Sequence, residues 1–170
     1  IDQNCDGLEQ CFADADQDGF RPLISTHTIS SDLDCDDAGE ASTDTPQSDC
    51  DDLNANIHPD AGEALDDGID QNCDGQELCL VDADDDGFRL NDSETMVSND
   101  MDCLDAGEAT QADPIGDCDD TNNLVSPNAT EIIGDGIDQN CDTLETCYVD
   151  ADGDGYRTLE TVQSTDSDCE

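Results

Sequence analysis

The chain of 170 residues contains no Lys and no Trp, only three Phe and two Tyr, and just three Arg against 48 Asp plus Glu. The formal net charge of −45 excludes a nucleic-acid or anionic-membrane binder, because phosphates require cations that this surface lacks. Leu, Ile, Val and Phe number 29, too few for apolar burial to offset the entropy of ordering the chain. No apolar run is long enough to span a bilayer. A conventional oily core is therefore unavailable, and covalent or ionic bonds must hold the fold.

The chain has 11 Cys, and the closest two, Cys5 and Cys11, are six apart. Zinc sites usually show tight C-x-x-C pairs, so this density reads as disulfides in an oxidising, extracellular setting.

The hexapeptide Ile-Asp-Gln-Asn-Cys-Asp begins at Ile1, Ile69 and Ile137, a period of 68 residues. This predicts repeat units at 1–68 and 69–136 and the first half of a third at 137–170, a window of a longer array. Cysteines, Asp, Asn, Gly and one Arg recur while apolar positions drift. Arg21, Arg89 and Arg157 each follow an aromatic residue, Phe20, Phe88 or Tyr156, and are expected to neutralise nearby carboxylates while packing on that ring.

The strongest motif is D-x-D-x-D-G, at Asp14, Asp16, Asp18 and Gly19, at Asp82, Asp84, Asp86 and Gly87, and at Asp150, Asp152, Asp154 and Gly155. Alternate carboxylates on a tight loop converge on one point, and Gly permits the positive φ that wraps the chain around it; Ca²⁺ acquires oxygen ligands at about 2.3 to 2.6 Å in this way. An EF-hand would place Glu at loop position 12, where Ser25, Ser93 and Thr161 stand. The closing carboxylate must come from elsewhere, for example Asp32 or Asp34, Asp100 or Asp102, and Asp166 or Asp168.

A second loop, D-x-N-x-D-G, contains Asp2, Asn4 and Asp6, then Asp70, Asn72 and Asp74, then Asp138, Asn140 and Asp142, with Thr143 replacing the last Gly. A third series places Asp52, Asn54, Asn56, Asp60 and Glu63 at EF-hand positions 1, 3, 5, 9 and 12, and its copy keeps Asp120, Asn122 and Glu131. The favoured ligands of this series are Asp52, Asn54, Glu63, Asp120, Asn122 and Glu131. His27 and His58 become Thr95 and Ser126 in the next unit, so the repeated donors are hard oxygens. Ca²⁺ is the expected cofactor, at about two to three ions per unit.

The series from Asp49-Cys50-Asp51-Asp52 through Pro59, Ala61, Glu63, Asp67-Gly68-Ile69-Asp70 and Asn72-Cys73-Asp74-Gly75, repeated at 117–142, resembles a metal-binding repeat of large secreted bacterial and archaeal proteins. The D-x-D-x-D-G loops are similar to thrombospondin type 3 repeats. The resemblance implies an extracellular, calcium-wrapped coil with little regular structure. The associated copper chemistry does not carry over, since no His, Met or Trp recurs to support it.

The expected fold is small, irregular and repetitive, mostly loops, with short β-strands near 19–24 and 88–90 and helical turns near 61–64 or 129–132, elongated into a rod or fibre. Disulfides are expected to join Cys11 to Cys35, Cys50 to Cys73, Cys79 to Cys103, Cys118 to Cys141 and Cys147 to Cys169, each closing a loop around one ion cluster. Cys5 is left unpaired or bonded to another unit. The expected function is a calcium-binding, disulfide-stabilised structural protein of a filament, stalk or surface layer at the cell exterior, self-associating or part of a longer array. The alternatives are a spacer or ligand-binding region of an adhesin, with cell-surface or glycan contacts open, and a metal-buffering polyanion. No phosphate loop, nucleophile elbow or cofactor fingerprint suggests an enzyme.

Overall fold

A computed structural model describes residues 7–166 and Cys169. Asp2, Asn4, Cys5, Asp6 and Asp168 lie outside the described residues. No helix forms among those described. The helical turns expected near 61–64 and 129–132 are absent because other loops take their backbone and side-chain groups. Ala64 N–H donates to Gln71 Oε1 at 3.0 Å and Ile132 N–H to Gln139 Oε1 at 2.9 Å, where a helix would require bonds to carbonyls four residues earlier.

Packing divides the chain into two compact units. One comprises residues up to Leu78 with Asn99–Met101, and the other Cys79–Ser98 with residues from Asp102 onward. In the first, β1 (Glu9–Ala13) lies between β3 (His27–Ser30) and β4 (Glu40–Ala41) in an antiparallel sheet. A parallel pair joins β2 (Arg21–Pro22) to β5 (Gln47–Asp49). In the second, β6 (Leu78–Val81), whose first residue is the last of the preceding unit, lies between β7 (Thr95–Val97) and β8 (Glu108–Ala109). A parallel bridge, Arg89 to Ile115, takes the place of β2 and β5. The hairpin β9 (Glu145–Tyr148) and β10 (Thr161–Ser164) completes it.

The buried apolar residues are mainly Cys and Ala, namely Cys11, Ala41, Cys79, Cys103, Ala109 and Cys147, joined by Ile57, Leu80 and Val125. Disulfide sulfur supplies much of the packing that Leu and Phe usually supply. The bonds are Cys11–Cys35, Cys50–Cys73, Cys79–Cys103, Cys118–Cys141 and Cys147–Cys169, with sequence separations of 22 to 24. Constraining loops of this length in the unfolded chain stabilises by roughly 3 kcal/mol per bond. Among the described residues, no helix is long and apolar enough to cross a membrane.

Candidate metal centres

Each D-x-D-x-D-G loop is folded by its own carboxylates. Asp14 accepts the N–H groups of Gln17 at 2.7 Å and Gly19 at 3.2 Å, Asp16 that of Asp18 at 3.3 Å, and Asp18 that of Phe20 at 2.7 Å. The next copy repeats the scheme: Asp82 accepts Gly87 N–H at 2.9 Å, Asp84 accepts Asp86 N–H at 3.2 Å, and Asp86 accepts Phe88 N–H at 2.9 Å. Gly19 and Gly87 take φ of 91° and 89°, which a side chain would resist. One oxygen of each middle and last Asp is used in folding. The other, Oδ2 of Asp16, Asp18, Asp84 and Asp86, is buried with no hydrogen-bond partner.

The residues closing these loops are not the expected ones. Asp32 accepts Ser30 Oγ–H at 2.9 Å and caps its own turn, as Asp166 does with Ser164 at 2.7 Å. Asp34 hydrogen-bonds to the Asp36 carboxyl, which pushes its pKa up to about 6, and Asp102 accepts Leu104 N–H. The loops are closed instead by the segments carrying Asp49 and Asp52 in the first unit and Asp117 and Asp120 in the second. Asp52 Oδ1 accepts Ala15 N–H and Asp120 Oδ1 accepts Ala83 N–H, both at 3.0 Å and both across 37 residues.

Carboxylate oxygens within Asp14, Asp16 and Asp18, and within Asp16, Asp49 and Asp52, lie inside 4.8 Å of one another. The same holds for Asp82, Asp84 and Asp86, and for Asp84, Asp117 and Asp120. Asp49 is 1% exposed and Asp117 4%, and Oδ2 of each is also buried without a partner. Burial, and then the neighbouring carboxylates, push the pKa values of Asp16, Asp49, Asp84, Asp117 and Asp120 above the ordinary range. An uncompensated buried carboxylate costs several kcal/mol, and the unpartnered oxygens have no Arg bonded to them, so two trios of acids that share Asp16, or Asp84, call for a cation.

The loop at 70–75 is a second kind of cluster. Asp70 accepts the N–H groups of Asp74 at 3.0 Å and Gly75 at 2.8 Å, and Glu63 reaches in to accept Asn72 N–H at 2.7 Å. Its copy joins Asp138 to Asp142 and Thr143, and Glu131 to Asn140. Thr143 holds the turn in place of Gly, at φ 70°. Oε2 of Glu63, Glu131 and Glu145 is buried and unpartnered.

The third series thus forms no loop of its own. Asp52 and Asp120 serve the first kind of cluster and Glu63 and Glu131 the second, while Asn54 and Asn122 cap local turns at Asn56 and Leu124. Sequence reasoning missed Asp49, Asp117 and Glu145. Their signal was recurrence at the 68-residue period.

The loop at 150–155 repeats part of this scheme, Asp150 accepting Gly153 and Gly155 N–H and Asp154 accepting Tyr156 N–H at 2.9 Å each, yet Asp150, Asp152 and Asp154 are exposed. The counterparts of Asp49 and Asp52 would fall at 185 and 188, outside the 170 residues, so this copy is seen without its closing segment.

The donors are carboxylate and amide oxygens. Cys118 and Cys141 lie beside Asp117 but are bonded to each other, so they offer no thiolate. His27 stacks near Phe12 and His58 on Phe20, where its Nδ1 accepts Asp60 N–H. Copper asks for imidazole or soft sulfur, which these clusters do not present, whereas a hard divalent cation fits them.

No curated protein and no solved structure matches the chain. Residues 1–10, 49–77 and 117–143, together under half of the chain, match the family model named Cu-binding MopE and described as a "putative metal-binding motif", which makes the chain similar to a metal-binding repeat family.

Proposed function

We propose that this is a calcium-binding, disulfide-stabilised extracellular structural repeat protein, in which each full unit holds one Ca²⁺ between the D-x-D-x-D-G loop and the Asp-Cys-Asp-Asp segment and a second at the Glu63 or Glu131 cluster. The observation that carries the reading is the group of buried, unpartnered oxygens Asp16 Oδ2, Asp18 Oδ2 and Asp49 Oδ2, repeated at Asp84, Asp86 and Asp117. Donors of this type and number suit Ca²⁺, while Mg²⁺ resists cages built wholly from protein ligands. Five disulfides and the anionic surface suit an oxidising, saline exterior. A regular period bound by ions and disulfides suits a filament, stalk or surface layer rather than an enzyme.

Calorimetric titration of the oxidised protein in physiological salt tests the reading, with scattering recorded before and after EGTA. Saturable Ca²⁺ binding well above Mg²⁺ affinity, with loss of compactness on chelation, is expected. Absence of saturable Ca²⁺ binding, or an unchanged scattering profile after EGTA, contradicts it.

A further inference from the structure

The only fixed cations of the chain are expected to offset its carboxylates, and two of them also hold backbone carbonyls. Arg89 is 3% exposed, and its guanidinium donates to a backbone carbonyl, that of Asp113, from Nε at 2.9 Å and Nη2 at 2.7 Å. Its own backbone continues the contact. Arg89 N–H donates to Pro114 O at 2.8 Å, and Arg89 O accepts Gly116 N–H at 2.9 Å and Asp117 N–H at 3.2 Å. One residue therefore grips the segment 113–117 through both its main chain and its side chain.

Arg21 holds the equivalent segment in the other unit with Nε alone. Its Nε donates to Thr45 O at 2.7 Å, its N–H to Pro46 O at 2.7 Å, and Pro22 pairs with Asp49. The gripped segments end at Asp117 and Asp49, the buried acids with unpartnered oxygens. Arg157 lies over the Tyr148 ring at 4.1 Å as Arg21 lies over the equivalent Phe12 ring at 4.0 Å, but it is exposed, and the counterpart of the 113–117 segment would fall at 181–185, outside the 170 residues.

We infer that Arg21 and Arg89 are positioning residues for the cation sites: the Arg89 fork and the single Arg21 Nε bond, each with its main-chain pairing, fix the register of the Asp-Cys-Asp-Asp segment, so that ion affinity depends on an Arg that does not touch the ion. The inference rests on the cation reading above. The Nε–H and Nη2–H of Arg89 converge on one carbonyl oxygen, and a Lys ammonium at the same place retains the charge without this two-donor hold. The ion pair of Arg89 Nη1 with exposed Asp92 at 2.9 Å is incidental to this role.

The test compares Arg89→Ala, Arg89→Lys, Asp92→Asn and Arg157→Ala by Ca²⁺ calorimetry, and by Tb³⁺ luminescence lifetimes in H₂O and D₂O, which count water molecules on the bound ion. Arg89→Ala and Arg89→Lys are both expected to weaken one site at least tenfold and to add water to its ion as Asp117 withdraws. Asp92→Asn and Arg157→Ala are expected to match the parent. If Arg89→Ala does not form its disulfides, Arg21→Ala at the half-buried counterpart carries the test. Restoration by Lys would make the charge rather than the fork responsible and overturn the inference, as would an unchanged affinity and water count in folded Arg89→Ala. A parent protein that binds no ion would instead overturn the cation reading itself.

Discussion

The loops at 82–87 and 150–155 share one sequence grammar and the bonds donated by Gly87 or Gly155 and by the aromatic residue after it. The counterpart of the 117–120 segment would fall at 185–188, outside the 170 residues, so the pair shows one loop with its closing segment and one without it. In the first, the segment carrying Asp117 and Asp120 closes over the loop, burial raises the pKa of Asp84, and oxygens are left without partners. In the second, the carboxylates are exposed, and the Gly155 N–H holds Asp150 below the ordinary carboxylate range. The motif therefore specifies a loop. A distant pair of acids, delivered by an Arg and a disulfide, turns that loop into a cluster that needs a cation.

The largest expected break in this comparison is chelation. After EGTA, hydrogen exchange at Ala15, Gly19, Ala83 and Gly87 should accelerate by at least a hundredfold as the closing segments detach, while Gly155 changes little. Equal acceleration at all three loops would remove the distinction between closed and open copies.

Next in size is removal of one closing acid. Asp49→Asn or Asp117→Asn should weaken Ca²⁺ binding at its own site by roughly 10 to 100-fold, because ligand charge sets affinity in such cages. Asp152→Asn should leave the tight sites untouched. In EGTA the first two changes should raise the melting temperature, since each removes a buried charge that lacks a partner.

A smaller effect is expected from pH. In the metal-free protein, Asp16, Asp49, Asp84, Asp117 and Asp120 have folded pKa values above their unfolded ones, so the folded state binds more protons. Metal-free stability should therefore rise as pH falls from 7 toward about 4, most of the gain coming as the raised folded values are crossed. With saturating Ca²⁺ the trend should reverse, as protons compete with the ion. Denaturant melts at several pH values, with and without Ca²⁺, check both signs.

The smallest contrast lies between Gly75, at φ 81°, and Thr143, which holds the same turn at φ 70°. A β-branched residue there is strained by about 1 to 3 kcal/mol. Thr143→Gly should stabilise the protein within that range, and thermal melts would show it.

The loops themselves were legible because alternating Asp, a following Gly and a fixed period are local signals. The closing partners were not, since nothing local links Asp16 to Asp49 across 33 residues, and an EF-hand count tied Asp52 to Glu63 although each folds toward a different loop. The strand β1 was missed because its five residues bury only Cys11, so no apolar alternation marks it. The Arg residues were read as charge neutralisers because composition makes that the obvious role. Backbone carbonyls, which have no sequence signature, are what Arg21 and Arg89 grip.

The most direct measurement is anomalous diffraction from crystals of the oxidised protein grown in Ca²⁺ and soaked in Tb³⁺. The account predicts strong peaks among Asp14, Asp16, Asp18, Asp49 and Asp52, and among Asp82, Asp84, Asp86, Asp117 and Asp120, with those oxygens within about 2.6 Å of the ion. Density confined to surface acids, with these two clusters empty or occupied only by water, would contradict it.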